Sequence, residues 1–401
     1  MTGKKDNHTT RGRLGQFWSA QFKSSTLPLY SGFLYTGAMT VLLGAVLPRI
    51  AALHHLQDSQ CGTLLMAQFL SSATGALFVR RRFEYTLVCG YALMAVGAIA
   101  LTIVPDTLAV PVICCFGLGL GMVMTSSSML LGRIFPDSRG IVLSLSNFSW
   151  SIGATACPLL VSRLPDNFSL ALLCIPAALL SLIFAMLVLR CNYASLSPPG
   201  MLSAAVKKSQ ASSIILFSGI AFFYVGAESA VGNWMSAYAS RAVWWDFGKG
   251  NLAAACFWAA LLLGRGLAPV VLLHIKEISL QLVSVAGASI GIVMLARAHS
   301  PVVLLAGACC TGLALAPIFP LTISLFMASA GETENAGWVF AIAGFGGAVL
   351  PWIMGLVSTG THSLRAGLLV CLGADAAMLL LSLLIVLLRR TFVLKVAAVD
   401  A

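Results

Sequence analysis

Residues 27–48 read Leu27-Pro-Leu-Tyr-Ser-Gly-Phe-Leu-Tyr-Thr-Gly-Ala-Met-Thr-Val-Leu-Leu-Gly-Ala-Val-Leu-Pro48, without one charged side chain. A helix rising about 1.5 Å per residue needs roughly 20 apolar residues to cross a hydrocarbon core about 30 Å thick. This stretch is long enough, and Leu108 to Leu131 is a second uncharged run of the same kind. Over all 401 residues, 59% are hydrophobic and only 9% charged, too few charges to coat a soluble globule of that size. In lipid the backbone must satisfy its own hydrogen bonds, which leaves helices or a closed barrel. The period-two alternation of barrel strands is absent, so the chain is read as an all-α integral membrane protein.

Apolar runs between polar breaks give twelve spans. Six lie near 27–53, 59–79, 85–104, 108–132, 139–162 and 168–189, and six near 213–238, 250–274, 278–296, 301–328, 335–358 and 366–388. The expected organisation is a tail over 1–26, a first bundle over 27–190, a linker over 191–212, a second bundle over 213–389 and a tail over 390–401. The linker holds Pro198, Pro199, Gly200, Lys207 and Lys208 and has no sustained apolar run.

Positive charge sets the expected orientation. With both ends in the cytoplasm, 17 of the 24 Lys and Arg fall inside and six outside, and Arg265 alone lies within a span. That bias follows the positive-inside rule for an even number of spans. The first 26 residues are polar and basic and lack a signal-peptide core, so they read as a retained cytoplasmic tail. The net charge of +11 is scattered between apolar runs and forms no compact nucleic-acid-binding domain. Of eleven cysteines, nine lie inside apolar runs with no CxxC pair, which reads as thiols packed between helices. No histidine sits mid-span, so neither a metal site nor a cofactor is expected.

The two sets of spans repeat. Cys114-Cys115-Phe116-Gly117-Leu118 in span four recurs as Cys309-Cys310-Thr311-Gly312-Leu313 in span ten, 195 positions later. Gly153 stands five residues before Pro158 in span five, and Gly346 five before Pro351 in span eleven, an offset of 193. Two adjacent spans agreeing on nearly one offset point to two pseudo-symmetric six-helix bundles.

Twelve spans, a central linker and paired halves resemble the major facilitator superfamily over essentially the whole chain. The loop after span two, Gly75-Ala-Leu-Phe-Val79-Arg80-Arg81-Arg82, resembles the superfamily's Gly-x-x-x-Asp-Arg signature with Val79 at the acidic position. Arg80, Arg81 and Arg82 therefore keep the basic part of a gating loop without its acid. Span seven, Tyr224-Val-Gly226-Ala-Glu228-Ser-Ala-Val-Gly232-Asn233-Trp234, resembles the Gly-x-Glu-x-x-x-Gly-x-Trp segment of fucose:proton-symporter-type sugar permeases. Phe257-Trp258 with Gly264-Arg265, Pro317-Ile-Phe-Pro320 and Gly346-Gly347-Ala-Val-Leu-Pro351-Trp352 resemble the same group. The resemblance implies alternating access, a small polar substrate of the monosaccharide class and proton-coupled symport in the cytoplasmic membrane. It departs in spans one and four, where the fucose-type symporters carry acids and this chain has none.

Only Glu228 and Asp375 are acids deep in a span. Glu228 lies ten residues before Tyr238, about 15 Å from the external edge and near the midplane. An ionised carboxylate there is costly unless paired, which suits proton coupling or a bond to a sugar hydroxyl. Arg265 needs a partner for the same reason, and Glu228 or helix-end carbonyls are the candidates. Asp375 is the second buried charge, on a helix that the resemblance makes peripheral. Sugar sites pair polar groups with aromatic faces, so Asn147 and Trp150, three apart on one helical face, are candidate substrate contacts. Gln68, Tyr35, Asn233 and Trp234 join them, the last two only if span seven loosens near Gly226 and Gly232.

The expected partners are a small-molecule substrate, a proton or alternatively sodium, and membrane lipid, with the chain working as a monomer. An exporter of drugs or hydrophobic metabolites shares the fold and is the alternative. A non-transporting receptor or scaffold ranks lower, since no long soluble domain is present. No metal cluster, nucleophile elbow or phosphate loop points to an enzyme.

Overall fold

A computed structural model describes residues 26–79, 82–103, 108–135, 139–165, 167–191, 193, 211–330 and 336–399. The first-half helices are α1 (Leu27–Leu53), α2 (Asp58–Leu77), α3 (Phe83–Ala100), α4 (Ala109–Ile134), α5 (Arg139–Val161) and α6 (Ala171–Arg190). The second half holds α7 (Ala211–Ala242), α8 (Phe247–Val271), α9 (Glu277–Ala296), α10 (Pro301–Leu315), α11 (Ile318–Ala330), α12 (Ala336–Thr361) and α13 (Leu364–Val399). Helices α10 and α11 are two segments of one span, interrupted at Ala316 and Pro317, where proline supplies no N–H to the ladder. Counted so, the described residues hold twelve long helices, one for each span of the hydropathy reading. Helix α13 runs on through 390–399, which the sequence reading assigns to a tail. Residues 1–25 and nearly all of the expected linker lie outside the described residues, as do Arg80 and Arg81.

Local signals fix several helix starts. Asp246 caps α8 by accepting the backbone N–H of Lys249 at 2.8 Å, and that bond holds its carboxyl below the usual carboxylate range. Ser300 caps α10, with Pro301 at its first position. The Gln57 N–H donates to Gln60 Oε1 at 2.9 Å at the start of α2.

Packing carries the pseudo-symmetry. In the first half α1 packs on α5, α2 on α4, α3 on α4 and α3 on α6; in the second, α7 packs on α12, α8 on α10, α9 on α10 and α9 on α13. Between halves α2 meets α12 and α5 meets α8, a pairing that maps onto itself when the halves are exchanged, and α1 meets α7. Both α1 and α7 are buried along most of their length, for α7 almost continuously from Tyr224 to Ala239.

The repeated glycines sit at matching contacts. A Cβ on Gly153 of α5 would collide with the Leu34 carbonyl of α1, and one on Gly346 of α12 with the Phe222 carbonyl of α7. A Cβ on Gly117 of α4 would collide with the Gln68 carbonyl of α2, and one on Gly312 of α10 with the Phe257 carbonyl of α8. In lipid, where apolar burial gives no preference for helix over tail, such backbone approach is a main source of association.

Among the described residues, ten spans are long and apolar enough to cross a membrane; α2 and α5 are not among them. These are the first-half helices that pack against α12 and α8, and both bury part of their polar side chains, Gln68 and Ser71 on α2 and Ser146 and Ser151 on α5. The cysteines divide. Cys61, Cys157, Cys174 and Cys371 are buried between helices as expected, whereas Cys89 and Cys309 lie exposed on the outer surface.

Candidate functional site

Arg265 of α8 is the centre of the buried polar arrangement. Its Nη2 donates to Glu228 Oε1 at 3.0 Å and to the Tyr224 hydroxyl at 3.4 Å, both on α7. Its Nη1 donates to Ser151 Oγ of α5 at 2.7 Å, so one side chain ties the second half to the first. The guanidinium also stands over the Trp150 ring of α5, 5.6 Å from its centroid, and Trp150 meets Trp258 of α8 edge-on at 5.7 Å. Tyr224 and Glu228 are four residues apart and share a helix face, as Trp150 and Ser151 are neighbours on α5.

The side chains of Arg265 and Glu228 retain 16% and 9% exposure, so the pair is nearly dry yet not sealed. A guanidinium has five N–H donors, and these contacts use three. Trp150 Nε1 is buried without a hydrogen-bond partner. The arrangement thus holds a neutralised ion pair, spare donors and an aromatic face at the boundary between halves.

The structure brings Glu228, Trp150 and Arg265 together and leaves the other candidates elsewhere. Asn147 is exposed one turn before Ser151, its amide on the Leu143 carbonyl of its own helix. Tyr35 is buried between α1 and α6, with its hydroxyl on the Ala177 carbonyl at 2.7 Å and on Ser181 Oγ at 2.6 Å. Gln68 donates to the Thr40 carbonyl at 2.8 Å and ties α2 to α1. Trp234 donates from Nε1 to the Pro351 carbonyl of α12 at 3.0 Å. Helix α7 is unbroken at Gly226 and Gly232, so the loosening that would turn Trp234 toward Glu228 does not occur. Asn233 donates to the Ser229 carbonyl and packs where Gly44 of α1 crosses, with Oδ1 buried and unpartnered. Asp375 is fully buried and accepts from Ser289 Oγ of α9 at 3.3 Å, with its other oxygen unpartnered. Arg82 is exposed at the start of α3, over the Tyr85 ring at 5.7 Å.

A second constellation is absent from the sequence reading. At one end of the bundle Asp58 of α2 accepts both Arg241 nitrogens of α7, at 2.6 and 2.7 Å, and Ser358 Oγ of α12 at 2.5 Å. Beside it the Ser59 N–H donates to Thr359 Oγ1 at 2.8 Å. Phe168, just before α6, meets Phe247 of α8 at 5.7 Å, and Gly248 lies against the Ser162 carbonyl. These contacts join the halves at the Asp58 face. Arg241 is thirteen residues beyond Glu228, about 20 Å along α7.

Two pseudo-symmetric bundles with a buried charged site between them define a multi-pass membrane protein built as transporters are. The family model described as Major Facilitator Superfamily matches residues 29–355, and the chain belongs to that superfamily. Among solved structures it is similar to the transporter FucP in the outward conformation, at 18% identity over 90% of this chain and 99% of that one, with a TM-score of 0.62. It is similar to the xylose transporter XylE from E. coli in a partially occluded inward-open conformation, at 15% identity over 90% and 97%, TM-score 0.69. It is also similar to a bacterial homolog of the human lysosomal transporter Spinster, inward-facing and occupied, at 12% identity over 92% and 96%, TM-score 0.69. At these identities the likeness is one of fold. No curated protein matches the chain.

Proposed function

We propose that the chain carries a small polar solute of the monosaccharide class across the cytoplasmic membrane by alternating access, coupled to a proton taken up at Glu228. The observation that carries this reading is the Arg265 bridge, which touches Ser151 in one half and Glu228 and Tyr224 in the other. A solute at that boundary contacts both halves at once, so its binding energy can drive their relative rotation. The surroundings favour a polar solute: two hydroxyls, a carboxylate, a guanidinium and an indole face suit a ring with hydroxyls on its edge and C–H on its face. The exporter alternative calls for a site lined by Met and Phe; the direct contacts of Arg265 are instead Ser151, Tyr224, Glu228 and Trp150, with Phe319 stacked behind Tyr224 at 5.6 Å. By the charge bias both chain ends are cytoplasmic, and the Asp58 face is external and closed.

One structural neighbour is titled a xylose transporter and another a D-xylose-proton symporter, which supports the same class. The test is uptake by proteoliposomes, acidic outside, of radiolabelled hexoses, deoxyhexoses, pentoses and hexuronates. Saturable accumulation of at least one sugar, lost in Glu228→Gln, is the expected result. No saturable uptake of any of them at any pH overturns the reading.

A further inference from the structure

Of the 24 Lys and Arg, Arg265 alone lies deep in a span, and its counter-charge is Glu228. A proton on Glu228 cancels that counter-charge and leaves a buried guanidinium with only two hydroxyls and an indole face. Among the described residues nothing nearby replaces it. The charged or titratable groups facing Glu228 are Arg265 and Tyr224. Helices α10, α11 and α12, packed on α7, carry no charged residue. Helix α1 brings only Arg49, near its end. Of the described side chains of α13, Arg365 is bonded to the Ala298 carbonyl and Asp375 to Ser289. On α8 itself Lys249 is paired with Asp246 at the outer end.

A neutral sugar entering with that proton would leave a buried cation unpaired, which the membrane interior makes expensive. A carboxylate-bearing solute removes the difficulty. It can take the two unused N–H donors of Arg265 while Ser151 and Tyr224 keep theirs, so charge passes from Glu228 to the solute without an unpaired stage. Resting on the permease reading above, we infer that the solute is a sugar acid, a polyhydroxylated monocarboxylate that takes over Arg265 when Glu228 accepts a proton. One proton then travels with one anion, and the cycle moves no net charge.

The experiment compares D-glucuronate with its uncharged isostere D-glucuronamide and with D-glucose, by binding to purified full-length protein and by uptake into proteoliposomes. Expected are binding of glucuronate that tightens on acidification because it takes up a proton, at least tenfold weaker binding of the amide, and uptake unaltered by a valinomycin-clamped membrane potential. Glu228→Gln should bind glucuronate with no pH dependence, and the double variant E228Q/R265Q, which leaves no charge unpaired at this site, should lose at least tenfold in glucuronate affinity while staying folded. Accumulation of glucose or glucuronamide with glucuronate ignored overturns this inference and leaves the permease reading standing. Glucuronate binding that survives in E228Q/R265Q also overturns it. Failure of every sugar, acidic and neutral, overturns both.

Discussion

Arg241 grips Asp58 with both terminal guanidinium nitrogens, Nη1 and Nη2, across the boundary between the halves, and Ser358 of a third helix completes the carboxylate's shell. Asp58 is largely buried whereas Arg241 is 48% exposed, so the pair is partly screened and contributes about 1 kcal/mol. Arg241→Gln should therefore shift the balance toward opening at this face by about five-fold. Amide hydrogen exchange should quicken in 54–62 and 355–363 and stay unchanged near Tyr35. Equal exchange in both proteins would remove the latch.

The Arg265–Glu228 pair predicts strong non-additivity. Removing one partner of a buried ion pair costs about 3 to 5 kcal/mol, because the other charge is stranded. Arg265→Gln and Glu228→Gln should each lower thermal stability in detergent more than E228Q/R265Q does. A double variant as damaged as the sum of the singles would show that the charges do not sense each other.

Matching glycines should respond alike. Gly153→Ala and Gly346→Ala each place a methyl against a carbonyl of the neighbouring helix, and overpacking of this kind costs about 1 to 3 kcal/mol. Gly360→Ala and Gly373→Ala, where a methyl meets open space, should be neutral or slightly stabilising. Thermal unfolding of the four variants decides, and equal effects in all four would contradict the packing account.

The two indoles of the span-seven and span-five motifs should separate. Trp234→Phe loses one bond to Pro351, about 1 kcal/mol of stability, and leaves KM unchanged. Trp150→Phe weakens the face under Arg265, worth about 0.5 to 2 kcal/mol, and should raise KM by two- to thirty-fold. A KM change confined to Trp234→Phe would reverse the assignment.

Much of the fold was legible because a lipid-exposed helix must be apolar along its whole length, as residues 27–48 are. The glycine repeats were legible as well, and they coincide with matching backbone contacts in both halves. Glu228 stood out as an isolated acid in an apolar run, and Arg265 as its cationic counterpart. Their shared environment did not, since Ser151 and Tyr224 come from positions 114 and 41 residues from Arg265. Tyr35 and Gln68 have suitable chemistry, but one residue turns a helix by about 100°, and their polar atoms face α6 and α1 instead. Asp58 and Arg241 stayed hidden because charge at a span end is ordinary.

The polarity of α2 and α5 also governs how the chain is made. A segment that polar leans on companions in the bilayer, and α2 and α5 find theirs in their own half, on α4 and α1, as well as in the later-synthesised half, on α12 and α8. The first bundle, expressed without the second, should thus keep both helices braced by α4 and α1 and leave bare the faces that α12 and α8 cover. The second bundle, whose described spans are each long and apolar enough to cross a membrane, supplies the cover for those faces.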